Sequence, residues 1–239
     1  MNKETFIKEL NNIGINPSTE QLTQLDEYAD FLLEYNTKTN LTAIREKEQV
    51  YLKHFYDSLT IVKTIDLNNI NTIIDIGTGP GFPGVVLKIM YPNIELTLLD
   101  SNNKKIEFLK QLVDKLKLIN IQIINGRAEE FINNNREKYD IVTSRAVSNL
   151  PVLTELCMPF VRENGYFIAM KGQAETEIKD SMYAIKELGG EIENINKFYL
   201  PIENSERNII KIKKIHKTDS KYPRRYDKIT KNPLKKNQK

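Results

Sequence analysis

The ten residues Asp75–Gly84, DIGTGPGFPG, restrict the fold more than any other part of this chain. A β-branched run, NTIID, leads into them and a helical run, VVLKIM, follows. Glycine in that setting lets the backbone turn sharply and lets a ligand reach main-chain N–H groups where a helix begins. Gly79-x-Gly81-x-x-Gly84 has the spacing of a dinucleotide-type loop. The next strand-like run, ELTLLD, ends at Asp100, about twenty residues beyond Gly79, where a carboxylate can accept hydrogen bonds from ribose hydroxyls. Strand, glycine loop, helix and acid-tipped strand together predict a βαβ unit with a nucleoside-bearing ligand at its carboxyl edge.

The rest of the chain extends that unit. Short apolar runs at 72–76, 95–99, 121–124, 140–144 and 165–170 alternate with helical segments at 84–90, 104–117, 129–134 and 151–160. This alternation predicts a parallel, doubly wound α/β sheet. A helix at 176–188 and two strand-like runs at 192–199 and 208–215, joined by polar PIENSER, predict a closing antiparallel pair. Residues 1–63 read as a helical extension. Phe6, Leu10 and Ile13 form one stripe, and Leu22, Leu25, Tyr28, Ala29, Leu32 and Leu33 another, capped by Ser18 with Gln21 three residues on. The expected organisation is a helical extension over 1–63, a Rossmann-like domain over 64–216 and a basic tail over 217–239, the last too charged to join a core.

Charge is unevenly spread. From Lys211 onward there are twelve Lys/Arg against Asp219 and Asp227, while the remainder holds 23 basic and 30 acidic side chains. An acidic body with a basic end suggests a polyanionic partner such as RNA, with Arg224 and Arg225 as candidate phosphate contacts. The opening MNKETFIKELNNIG lacks the apolar core of a secretory signal, and no run of about 18 apolar residues is present to span a membrane. Cys157 is the only cysteine, so no internal disulfide forms. These features predict a cytoplasmic protein. Nothing in the sequence sets an oligomeric state, and a monomer is assumed.

The loop alone fits NAD(P) or S-adenosylmethionine (SAM). Three features favour SAM. Asp75 precedes the first glycine by two residues and is expected to face the positive methionine end, where a pyrophosphate would be repelled. Pro80 and Pro83 remove N–H donors that a pyrophosphate uses. No Tyr-x-x-x-Lys pair is present for hydride transfer. In NGRAEEF, after the third strand, Ala128 and Glu129 are candidates to frame an adenine.

DIGTGPGFPG, LLDSNNKKIEFL, GRAEEF and YDIVTSRAVSNLP, with YNTKTNLTAI and HFYDSL upstream, resemble the bacterial ribosomal RNA small-subunit methyltransferase G family, formerly glucose-inhibited division protein B. The resemblance runs from about Tyr35 to Leu234. It implies a SAM-dependent enzyme methylating N7 of one guanosine in 16S ribosomal RNA, free or in the small-subunit particle. It also implies the class I methyltransferase fold, a seven-stranded sheet with its last pair antiparallel. Carried over by motif, the cofactor contacts fall on Gly77, Phe82, Ala128, Glu129 and Arg145; Gly79 and Asp100 come from the loop and ribose arguments above. Lys171 in MKGQ is a candidate for RNA backbone or a base oxygen, and Asn40 and Arg45 for an RNA-facing rim. Cys157 in LTELCMPF and His54 are expected to pack rather than react. Alternatives left open are a methyltransferase for a small molecule or another RNA, and a binding module without cofactor.

Overall fold

The computed structural model describes residues 1–145 and 148–235; Ala146 and Val147 of the SRAV motif and the last four residues lie outside the described part. Seven strands form one mixed sheet in the order β3-β2-β1-β4-β5-β7-β6. They are β1 (Thr72–Ile76), β2 (Glu95–Asp100), β3 (Ile121–Asn125), β4 (Tyr139–Arg145), β5 (Val161–Lys171), β6 (Gly190–Tyr199) and β7 (Glu206–Lys214). β1 to β5 run parallel, and β7 inserts antiparallel between β5 and β6. The strand order reverses between β1 and β4, which opens a crevice at their carboxyl ends.

Helices cover both faces. α1 (Lys3–Asn12) and α2 (Thr19–Thr39) precede a continuous helical stretch over 47–63. That stretch contains α3 (Lys47–Val50), a wider π turn over Tyr51–Tyr56, α4 (Asp57–Leu59) and a tighter turn over Thr60–Lys63. With α5 (Gly84–Met90) and α6 (Asn103–Lys115) they close one apolar core against the sheet, through Leu25, Tyr28, Leu32, Phe55, Val85 and Phe108. α7 (Ala128–Phe131), α8 (Leu150–Cys157), α9 (Glu175–Glu187) and α10 (Tyr226–Lys231) close the second core, which includes a fully buried Cys157. The longest helix starts as its sequence requires. Ser18 Oγ accepts from Gln21 N at 3.2 Å, and Gln21 Oε1 accepts from Ser18 N at 2.8 Å. It stops at Asn40, which adopts φ 52°.

Two differences from the sequence reading have clear causes. β5 begins four residues earlier than its apolar run, because Val161 pairs with Tyr139 before a register shift carries the polar RENG segment past β4. The basic tail joins the core despite its charge. Tyr222 and Ile229 are buried, and at the start of the tail Thr218 meets Lys214, the fully buried last residue of β7, whose Nζ also donates to Met158 O at 2.8 Å. Burial pushes the Lys214 ammonium down to about 8. Tyr222 and Ile229, with Thr218, Leu234 and the inward-turned Arg224 beside them, seat a segment whose described lysines face water.

Candidate functional site

A cavity of about 600 Å³ opens at the carboxyl ends of β1, β2 and β4. Its floor is the glycine loop. Gly77, Gly79 and Gly81 have φ of 70°, 60° and 104°. At Gly81 an added Cβ would lie 2.6 Å from Val85 Cγ2 and 2.7 Å from Tyr28 Oη, so only glycine fits. The N–H groups of Gly77 and Thr78 donate to Leu99 O at 2.8 and 3.2 Å, which ties the turn to β2.

Two carboxylates fix the loop from below and beside. Asp75, fully buried, accepts at Oδ2 from Thr78 Oγ1 at 2.8 Å and from Gly84 N at 2.9 Å. Its Oδ1 has no hydrogen-bond partner among the described residues, and burial pushes the carboxyl up to about 6. Asp75 does not line the cavity. Its place before the first glycine suggests an acid facing a cationic ligand; its short side chain instead closes the turn from beneath. Asp100 accepts from Gly79 N at Oδ2 and from Asn102 N at Oδ1, both at 2.9 Å, and Lys105 Nζ is 3.4 Å from Oδ2. Each carboxylate oxygen has two lone-pair sites, so this acid can hold the loop and still accept from a ribose.

The helical extension supplies a wall. Phe82 is stacked with His54 at 4.3 Å and with Tyr28 at 5.3 Å, the planes within 15° and 13°. Tyr28 Oη donates to Pro80 O, joining α2 to the loop. The Arg145 guanidinium lies over Phe82 at 5.1 Å and donates to Lys53 O at 3.1 Å and Asp57 Oδ2 at 3.2 Å. Its second terminal nitrogen is 3.1 Å from His54 Nδ1. A guanidinium only donates, so Nδ1 is the acceptor and Nε2 carries the proton, 3.0 Å from Thr42 Oγ1. Desolvation and the Arg145 charge push His54 down to about 3, so the ring is neutral at working pH. At the far end Gly126, Ala128 and Glu129 line the cavity beside Arg127, which stacks over Tyr226 of the tail at 5.1 Å.

Gly77, Gly79, Phe82, Asp100, Ala128, Glu129 and Arg145 thus converge on one cavity. Phe82 contributes little exposed surface, because its ring is engaged in stacking. Lys171 stands apart, in a neighbouring cavity, with Nζ 2.6 Å from Ser148 O and 2.9 Å from Glu177 Oε2. Arg224 differs from its expectation as a phosphate contact. Its guanidinium turns inward onto the fully buried Glu155, at 2.8 and 2.6 Å, because that carboxylate needs a partner. Arg225 faces solvent beside Asp227 at 3.3 Å. Asn40 and Arg45 bond each other at 2.8 Å and fold their loop back on itself. Neither Arg127 nor Tyr226 is marked by the sequence as a partner of the other; nothing in YPRRYDK signals an aromatic that reaches a distant β3–α7 turn. Asp57 lies in the quoted HFYDSL, so that motif carried its signal without its role.

Comparison with solved structures shows the fold. A SAM-dependent methyltransferase from Aquifex aeolicus superposes with a TM-score of 0.54 at 15% identity, covering 73% of this chain and 96% of that one. A precorrin-6y C5,15-methyltransferase from Geobacter metallireducens gives 0.53 at 15%, over 72% and 90%. Ribosomal RNA small subunit methyltransferase G of Bacillus subtilis (strain 168) is 49% identical over 98% of this chain and 99% of its own length. The protein of that name from Oceanobacillus iheyensis is 48% identical over 98% and 100%. The family model for rRNA small subunit methyltransferase G matches residues 21–210, and with nearly half of all positions shared along the full length the chain belongs to that family.

Proposed function

We propose that this protein methylates N7 of a guanosine in the RNA of the small ribosomal subunit, with SAM as methyl donor. The observation that carries the reading is the cavity itself. A glycine-floored crevice meets a carboxylate at the tip of β2 and a small-residue turn at Ala128, which suits a ribose flanked by an adenine. The donor set fits a sulfonium nucleoside. The loop N–H groups of Gly77 and Thr78 are already bonded to Leu99 O and so are not offered to a pyrophosphate. Bound here, SAM supplies an electrophilic methyl group.

The chain's own groups position and shield. Asp100 holds ribose hydroxyls, and the 126–129 turn reads the purine edge. His54, kept neutral, would add no positive charge beside a sulfonium, and Asp57 offsets part of the Arg145 charge there. Guanine N7 presents a lone pair without prior deprotonation, so no general base is required. Alignment alone can lower such a barrier by roughly 7–11 kcal/mol. In this reading 64–216 carries the transfer, 1–63 braces the loop, and 217–239 contributes RNA contacts such as Arg225. Small-subunit RNA, free or in the particle, is the partner, which places the protein in the cytoplasm. Among the described residues no helix is long and apolar enough to cross a membrane.

The test is a nucleoside mass spectrum of small-subunit RNA after incubation with the protein and methyl-labelled SAM. Label in 7-methylguanosine is expected. Label confined to another nucleoside, or none on free RNA and particle alike, overturns the reading.

A further inference from the structure

A second cavity, about 380 Å³, adjoins the first, and His54 and Arg145 line both. Along the sheet the order β1-β4-β5-β7 sets their sequence in space. The glycine loop follows β1, Arg145 ends β4, Lys171 ends β5, and Arg207 and Asn208 lie on β7. The second cavity therefore begins at the wall where a methyl group would be presented and extends away from it.

Its lining has a marked charge pattern. Lys53, Arg145, Lys171 and Arg207 face Asp57 and Glu177, and Lys53 is paired outside the lining with Glu203 at 2.9 Å. One Asp57 carboxylate, nearly buried, serves two guanidiniums, Arg145 at 3.2 Å on Oδ2 and Arg207 Nε at 2.9 Å on Oδ1. Two cations on one anion leave surplus positive charge, which suits a phosphodiester. The buried Met170 and Ile209 and the half-buried Phe198, whose ring also carries Lys63 at 4.7 Å, give the lining an apolar side. Glu177 lines the second cavity and not the first. Its Oε2 takes Lys171 Nζ at 2.9 Å and Leu150 N at 2.7 Å, which fixes the carboxylate, and no hydrogen bond from the described residues falls on Oε1.

We propose that this second cavity receives the target guanosine flipped out of the RNA, with Arg207 at its phosphate and Glu177 accepting from guanine N1–H and the 2-amino group. The assignment rests on the guanine-N7 reading above. N7 lies on the edge of the purine opposite N1 and the 2-amino group. A guanine entering with N7 toward the first cavity therefore directs its two adjacent N–H donors away from it, toward Glu177. Enzymes that act on one base read its Watson–Crick edge in this way once it is unstacked. Adenine offers a lone pair at N1 and is repelled by the carboxylate.

The experiment compares the full-length wild type with Glu177→Gln, on RNA carrying guanosine or inosine at the methylated position. Inosine lacks only the 2-amino group. Wild type is expected to lose roughly tenfold in kcat/KM on inosine RNA, and Glu177→Gln to lose at least roughly tenfold on guanosine RNA, with SAM affinity unchanged. The variant should then treat guanosine and inosine RNA alike. A carboxylate that only steadies Lys171 and Leu150 would give two losses that multiply, and that result overturns the assignment. Arg207→Gln should lower the salt dependence of RNA binding by about one counterion, and an unaltered slope counts against the phosphate contact. A wild type that methylates no guanosine at all refutes the underlying methyl-transfer reading instead.

Discussion

Asp75 is a buried acid that costs the fold stability at neutral pH. Its carboxyl is raised to about 6 by burial, against the hydrogen bonds from Thr78 and Gly84 and the Arg145 charge that favour ionisation. For an acid with a raised folded pKa the folded state holds its proton longer than the unfolded state, so stability falls as pH rises from about 4 through 6. Asp75→Asn keeps a carbonyl acceptor for Gly84 N and removes that titration. Between pH 4 and 7 the stability of the variant relative to wild type should rise by about 2 kcal/mol in urea unfolding; a constant difference refutes the assignment. His54 has the opposite character. Held down to about 3, it stays neutral across the working range, so kcat should show no inflection near pH 6.5. A single ionisation there in the rate profile would restore histidine as a participant. Asp100 was legible because its place at a strand end, one βαβ unit beyond the loop, is visible in spacing. The task of Asp75 was not, since its partners are brought to it only by positive φ angles at three glycines.

At the scale of elements, loop and helix depend on each other. Gly81→Ala forces a side chain at φ 104° into Val85 and Tyr28, whereas Gly79→Ala at φ 60° meets nothing within 4 Å. The first substitution combines left-handed strain with overpacking and should cost about 3 kcal/mol, the second only about 1 kcal/mol. Thermal unfolding of the pair separates the contributions, and equal losses would mean that α2 yields to the loop. Tyr28→Phe probes the same junction from the other side. Removing the hydroxyl that holds Pro80 O should cost about 1 kcal/mol and weaken SAM binding by a few-fold, read by calorimetry. The strands could be placed from sequence because their β-branched runs are bounded by polar turns. The junction could not, because Tyr28 reads as one more apolar residue of an amphipathic stripe. Its ring does pack at the core, and only its hydroxyl, reaching Pro80 from 52 residues away, carries the positioning role.

Across the whole molecule the basic tail is packed into the fold rather than lying beside it. Its charge was plain in the sequence, but charge does not show that Ile229 is buried, that Arg224 is held by Glu155, or that these anchors set Tyr226 against Arg127 at the mouth of the first cavity. The same short helix then exposes Lys228 and Lys231 on its outer side, next to Arg225. A cavity-lining side chain and candidate RNA contacts therefore share one short segment, and on the proposed function substitutions at the two should separate. Tyr226→Ala removes a cavity wall and a cation–π contact of about 0.5–1 kcal/mol, so SAM affinity should fall roughly threefold to fivefold while RNA affinity at fixed salt holds. Arg225→Glu should do the reverse, weakening RNA binding and flattening its salt dependence with SAM affinity intact. Because binding free energies are linked, any tightening of SAM by RNA in the wild type must equal the tightening of RNA by SAM. If the tail carries that coupling, Tyr226→Ala should shrink both by the same factor. A tail that acts only as an electrostatic arm predicts SAM titrations of Tyr226→Ala indistinguishable from wild type, with and without RNA.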